Sequence, residues 1–335
     1  MERPYLLFLG DVADQLAAKT AHGIADWRPE WCVGQLRLPG CQADTALPDV
    51  TLDEAVAKGA KTLIVAVANS GGFMPEHWVD TIVGALNRGM DVASGLHTRL
   101  GSIPAVAEAA AKQGRKLYDV RYTDQRFDTG KGAKRTGMRC LTVGTDCSVG
   151  KKYTAMAIAK EMEKRGLKAD FRATGQTGIF IAERGVAIDA VIADFISGAA
   201  EWLSPDNEPD HWDIVEGQGS LFHAAFAGVT LGLLHGAQPD ALVLCHEPTR
   251  KHMRGLPHAP IPKLKDCFEP YLTLAALTNP ACRFVGISMD THLLDRGVAG
   301  RLLKSTEDQF GLPCVDSVAT GTAPIVDALE KLCAS

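Results

Sequence analysis

Hydrophobic positions along the chain fall into short continuous runs, separated by stretches whose apolar residues recur every three or four positions. Residues 61–68 read KTLIVAVA, and an apolar run of this length predicts a strand buried on both faces, as in a parallel sheet. Shorter runs predict strands at 5–9, 91–95 and 116–120. Helices are predicted between them. One covers 20–27. A second covers 51–58, where Thr51 and Glu54 form a capping box. A third covers 76–88 and is closed by Gly89. The fourth, 104–113, has Pro104 at its start and Gly114 at its end. Loops at 69–72 and 97–102 follow strands. Such alternation with short connections predicts a doubly wound parallel sheet, a Rossmann-like domain over 1–123. No GxGxxG follows its first strand, so a nicotinamide cofactor is not supported.

Residues 124–136, DQRFDTGKGAKRT, are polar and basic without an apolar period. They predict a linker in which Lys131, Lys134 and Arg135 form a solvated face. The pattern then restarts over 137–335. Strands are predicted at 139–143, 168–172, 212–215, 241–245, 283–288 and 315–318. Helices are predicted at 151–164, 193–202, 268–277, 298–310 and 324–332, and a long polar loop at 246–265. The fold class is therefore α/β, with two doubly wound domains, the second P-loop NTPase-like.

The restart carries the strongest chemical signal. Gly144-Thr145-Asp146-Cys147-Ser148-Val149-Gly150-Lys151-Lys152 stands between a predicted strand and a predicted helix, the context a P-loop requires. Glycines let backbone N–H groups turn inward around an anion, the helix N-terminus adds partial positive charge, and Lys151 adds a full one. The position after that lysine ordinarily holds a Ser or Thr hydroxyl for Mg²⁺; here it is Lys152. Thr154, two residues on, points to another helix face. No metal site is predicted. The loop fits a phosphate ligand that is bound but not cleaved, such as coenzyme A.

Ligands in open α/β sheets bind beyond the carboxyl ends of the strands. That geometry gathers Arg172, Thr174, Gln176 and Thr177 beside Glu216, Gln218 and Ser220. Arg172 and Arg250, the latter from the charged segment HEPTRKHMRG, are candidates for holding carboxylates. Glu216 and His223 (the latter on a predicted helix) are candidate general bases. Cys147 lies inside the predicted nest, where its thiol pKa would fall. Asp290 is a weaker candidate.

Composition narrows the partners. Of 335 residues, 46% are hydrophobic and 22% charged, with a net charge of −5, so a large core is expected and no electrostatic footprint for nucleic acid or an acidic membrane is present. The nine cysteines include no CxxC pair, which predicts reduced thiols. The first apolar run is too short for a signal peptide, and no run approaches the ~20 residues of a membrane span. A cytoplasmic protein acting on a small molecule is expected, as a homo-oligomer by base rate.

The spelling G-T-D-x-x-V-G-K, with residues 214–221 (IVEGQGSL), resembles dethiobiotin synthetase, and a Mg-ATP-dependent ligase or kinase is the alternative function. Over its full length the chain resembles the D-glutamate N-acetyltransferase family. The segments that carry the resemblance are GDVADQLAAKTAHGIADW, LIVAVANSGGFMPEHW, GTDCSVGKKYTA, RATGQTGIFIAERG and DIVEGQGSLFH. The resemblance implies a Rossmann-like domain fused to a P-loop domain, and transfer of acetyl from acetyl-CoA to the amine of D-glutamate in D-amino-acid catabolism. In that mechanism Lys151 and Lys152 would anchor the coenzyme, and Arg172 and Arg250 the substrate carboxylates. Backbone N–H groups near Gly217 to Ser220 would stabilise the oxyanion.

Overall fold

The computed structural model describes residues 1–333. They form two compact units: 1–124 with 176–187, and 125–175 with 188–333.

Unit 1 contains β1 (Tyr5–Gly10), α1 (Lys19–Trp27), β2 (Cys32–Arg37), α2 (Leu52–Ala57), β3 (Thr62–Val65), α3 (Val79–Asn87), β4 (Asp91–Ser94), α4 (Pro104–Gln113) and β5 (Leu117–Asp119). The five strands are parallel in the order β2-β1-β3-β4-β5. β1, β3 and β4 are buried on both faces, which is why they are legible as apolar runs. The capping box forms as expected, Thr51 Oγ1 accepting from the Glu54 N–H at 3.2 Å and the Thr51 N–H bonding Glu54 Oε2 at 2.7 Å. Gly114 ends α4 in the left-handed conformation. β2 was not expected. Its sequence CVGQLR is broken by Gly34 and Gln35, and as an edge strand it is only partly buried, so it presents no apolar run.

Unit 2 continues with β6 (Met138–Gly144), α5 (Lys151–Lys164) and β7 (Ala169–Arg172). The chain next forms α6 (Gln176–Ala182), which belongs to unit 1, and returns to unit 2 through α7 (Ile196–Leu203), β8 (Trp212–Val215), α8 (Ala227–Ala237) and β9 (Ala241–His246). It ends with β10 (His252–Met253), β11 (Leu256–Pro260), α9 (Phe268–Ala275), β12 (Arg283–Met289), α10 (Arg296–Phe310), β13 (Cys314–Val315) and α11 (Ala323–Cys333). Six strands pair in parallel in the order β13-β12-β9-β6-β8-β7. One core cluster includes Ile158 and Met162 of α5, Ile214, Val243, and Ile325 and Leu329 of α11. The chain winds from β6 to one side and later to the other, so the switch point lies at the end of β6.

Three local expectations change. The predicted polar loop 246–265 contains the antiparallel hairpin β10–β11; its strands are too short to show a period. Past the end of β7, where Thr174, Gln176 and Thr177 were expected to gather with Glu216, helix starts at Gln176 because Ile179, Phe180 and Ile181 bury behind it. The linker basic residues are not a solvated face throughout. The Lys131 and Gly132 N–H groups bond Glu201 at 2.9 Å, Lys134 pairs with Asp240 at 2.9 Å, and Arg135 donates to the Ser204 carbonyl at 2.7 Å. Among the described residues no helix is long and apolar enough to cross a membrane.

Candidate active site

β6 ends at Gly144 and α5 starts at Lys151, leaving a tight turn between them. Within it Ser148 has φ +52° and Gly150 φ +90°. Alternating backbone hand of this kind turns successive N–H groups to one side, and at Gly150 the absence of Cβ makes it cheap. The first N–H groups of a helix have no intrahelical acceptor and lie at the positive end of its dipole. The strand end is pinned by Ser220 Oγ and Tyr271 Oη, which donate to the Gly144 carbonyl at 2.9 and 2.8 Å.

The acidic residue of the loop is an internal brace. Asp146 is fully buried and accepts from the Cys147 N–H at 2.6 Å, the Arg254 N–H at 2.8 Å and Arg250 Nη1 at 2.8 Å. Arg250 also donates to the carbonyls of Cys147 at 2.6 Å and Ser148 at 2.8 Å, and the Arg254 guanidinium bonds Ser148 Oγ. These loop carbonyls therefore face arginines delivered by the segment after β9. Lys151 is buried, donates from Nζ to the Asp146 carbonyl at 2.7 Å, and burial lowers its pKa.

Glu216 follows β8. The neighbouring Gly217 is required, because a Cβ there would lie 1.7 Å from the Thr142 carbonyl oxygen. Glu216 is buried, and its Oε2 accepts from the N–H groups of Thr174 at 3.0 Å and Gly175 at 3.2 Å. Burial pushes its pKa up to about 7, against the opposing pull of those N–H groups and of Lys152. Thr174 Oγ1 donates to the Glu216 carbonyl at 2.5 Å and receives Gln218 Nε2 at 3.2 Å. The structure thus brings together the P-loop, Thr174, Glu216, Gln218, Ser220 and Arg250.

Other expected site residues lie apart from this group or are engaged otherwise than expected. Arg172 is bound by Asp213 at 2.8 Å and Asp170 at 3.2 Å. Gln176 and Thr177 stand on α6 in unit 1. His223 lies in the turn before α8, not on a helix. Its Nε2 donates to the Arg254 carbonyl at 2.9 Å and its Nδ1 accepts the Ala225 N–H at 3.2 Å, so both nitrogens are engaged with backbone. One atom each of Asp146, Cys147 and His223 lie within 4.8 Å of one another. Thr154 Oγ1 faces Ser288 Oγ at 2.8 Å, away from where a P-loop hydroxyl holds a metal. Asp290 accepts from His292 Nδ1 at 2.6 Å. Tyr271 was not foreseen, and Arg254 and His246 were expected only as members of the charged segment; His246 Nδ1 lies 2.9 Å from Thr145 Oγ1. Only the charge density of HEPTRKHMRG hinted at Arg254, and nothing local shows which cation folds back on the loop.

Residues 126–326 match a family described as a domain of unknown function (DUF1611_C), P-loop domain, and residues 36–123 match its Rossmann-like partner (DUF1611_N). The crystal structure of a DUF1611 family protein from Anabaena variabilis is similar with a TM-score of 0.89 and 30% identity, covering 98% of this chain and 100% of that one. A curated relative from Tritonibacter scottomollicae, named D-glutamate N-acetyltransferase, is 54% identical over 332 residues, covering 99% of this chain and all of the relative. A second of the same name, from Pseudoalteromonas, is 50% identical, covering 96% of this chain and 97% of the relative. With both halves matched and identity of this level along nearly its whole length, the chain belongs to the DUF1611 family.

Proposed function

We propose that this protein is a D-glutamate N-acetyltransferase that takes its acetyl group from acetyl-CoA. The observation that carries the activity is the 54% identity over 99% of the chain to a relative of that name. The donor is argued from the chemistry of the site. A nest at the N-terminus of a 14-residue helix, with Lys151 and Lys152 at its edge, suits a pyrophosphate. Lys152 stands where Mg²⁺ would need a hydroxyl, and Thr154 is turned to Ser288. Binding without cleavage fits a coenzyme better than a hydrolysed nucleotide, and the Mg-ATP alternative lacks the hydroxyl that would follow the P-loop lysine.

The size of the coenzyme then assigns roles. From pyrophosphate to thioester sulfur the extended arm spans about 15 Å, by ordinary covalent dimensions. Glu216 touches Thr174 and Gly175 beside the nest, and His223 is within 4.8 Å of Cys147 in it. With phosphates in the nest these two groups face phosphate, not acetyl. In this reading Glu216 fixes the 174–175 backbone and offsets the charge of Lys152. His223 braces the Arg254 carbonyl. Neither serves as the base for the amine. The nine cysteines are free thiols, which fits an enzyme of the reducing cytoplasm.

The test is to mix purified protein with acetyl-CoA and follow free thiol. Release that needs D-glutamate and is not given by L-glutamate is expected. No release with D-glutamate, with Mg-dependent ATP turnover in its place, would replace this reading by the ligase-like one.

A further inference from the structure

A pyrophosphate in the nest fixes where the rest of a coenzyme can go. A ribose separates the phosphates from the base by about 6 Å in ordinary covalent dimensions, so the base rests on the loops beside the nest. The nest follows β6, with β8 on one side and β9, β12 and β13 on the other. On the β8 side the strand-end groups are polar and bond one another through Thr174, which meets both Glu216 and Gln218. Phe226, exposed in the segment after β8, has its ring against His223, with 4.6 Å between centroids.

The other side is built differently. His246 ends β9 and ties the nest to β12: its Nδ1 lies 2.9 Å from Thr145 Oγ1, and its carbonyl accepts the Asp290 N–H at 2.9 Å. A Cβ on Gly150 would lie 3.9 Å from the Asp290 Cβ, so the segment after β12 starts in contact with the nest. Behind it, Thr154 Oγ1 of α5 lies 2.8 Å from Ser288 Oγ and 3.4 Å from Ser317 Oγ. Asp316, a buried carboxylate after β13, then locks the two segments together. Its Oδ2 accepts the Thr291 N–H at 2.9 Å and Thr291 Oγ1 at 2.6 Å, and its Oδ1 accepts the N–H groups of Val318 and Ala319 at 2.9 Å. What these fixed loops present to solvent is apolar: Leu293 is 65% exposed and Val318 73%.

A single exposed apolar side chain is ordinary. Two of them, on loops held by one carboxylate and joined to a phosphate nest, make an apolar surface at a fixed place beside a charged one. Ligand sites pair such a surface with a few polar groups that set orientation, and Asp290, between the nest and Leu293, offers a carboxylate to an amino group. We propose that the loops after β12 and β13 bind the adenine of the coenzyme, with its face on Leu293 and Val318 and its amino group toward Asp290. That the base belongs to acetyl-CoA rests on the acetyltransferase reading; the surface itself rests on the unit 2 contacts alone.

The experiment titrates the full chain calorimetrically, without metal, with ADP, inorganic pyrophosphate and acetyl-CoA, and repeats this with the double variant Leu293→Ser, Val318→Ser. Both residues are exposed, so the variant should unfold at the temperature of wild type. It is expected to bind pyrophosphate within twofold of wild type and to lose at least tenfold in Kd for ADP and for acetyl-CoA. Wild type should prefer ADP tenfold over inosine diphosphate, which lacks the amino group, and Asp290→Asn should reduce that preference below threefold. A double variant that keeps the ADP and acetyl-CoA constants within twofold overturns the site. So does one that loses pyrophosphate equally, or wild type that binds pyrophosphate as tightly as ADP, or wild type that binds neither ADP nor acetyl-CoA. No preference for ADP over inosine diphosphate in wild type removes Asp290 from the base. ADP bound through Leu293 and Val318 by a protein that releases no thiol from acetyl-CoA with D-glutamate overturns the acetyltransferase reading and leaves the site standing.

Discussion

At the amino end of the unit 2 sheet, Arg139 is 1% exposed and every nitrogen of its guanidinium donates, to Ser204 Oγ and to carbonyls of Arg135, Thr136, Gly137 and Pro205. Ser204 in turn donates to Asp213 at 2.5 Å, and Asp213 holds Arg172 at 2.8 Å. At the carboxyl end of the same sheet, Lys151 is also buried but leans on a single carbonyl, and the pKa of Glu216 is pushed up to about 7. Matched buried charge fixes a scaffold. Charge left short of partners is charge held ready for something else, and perturbed groups cluster at sites for that reason.

Substitution at each end of the sheet should have opposite effects. Arg139→Met should be the most damaging single change. It leaves Ser204 Oγ and several carbonyls without their donor, and removing one partner of a buried network costs about 3–5 kcal/mol. Urea unfolding should show that loss, while the surviving folded enzyme keeps its KM values; a raised KM without lost stability would make the amino end a site. Lys151→Ala should do the reverse. A charged hydrogen bond is worth about 1.5–3 kcal/mol, so KM for acetyl-CoA should rise roughly 10- to 100-fold with the D-glutamate KM little changed. An unchanged acetyl-CoA KM removes Lys151 from the coenzyme.

Glu216 sharpens the contrast through pH. Its folded pKa, about 7, lies above that of an ordinary glutamate. Between the two values the folded chain therefore binds the extra proton. The stabilisation is complete below the unfolded pKa and is lost as pH rises toward 7, at up to about 1.4 kcal/mol per pH unit. Glu216→Gln should flatten the stability-pH curve relative to wild type over about pH 4.5–7; parallel curves would mean the carboxyl titrates alike in the folded and unfolded chain. The smallest effect lies far from both ends. Thr51→Ala removes the α2 cap and should cost about 1 kcal/mol in thermal unfolding, with both KM values unmoved.

Much of the scaffold was fixed locally. Parallel strands buried on both faces must be apolar throughout, so 61–68 and 241–245 announced themselves. Pro104 and Gly114, or Thr51 and Glu54, mark helix ends through their own backbone requirements. The P-loop was legible for the same reason, since the turn before Lys151 needs its glycine and its lysine in fixed order. Beyond that, sequence distance hides the partners. Arg250 and Arg254 reach Asp146 across more than a hundred residues. Gln176 and Thr177 were expected beside Glu216, but hydrophobic burial of Ile179–Ile181 carries them into unit 1. Arg172 is spelled like a ligand clamp, yet Asp213 on the adjacent strand, in register two residues back, takes its guanidinium. Local backbone chemistry and hydrophobic period are properties of a segment and can be read from it. Which charge finds which partner depends on how strands order in the sheet, and only the folded chain decides that.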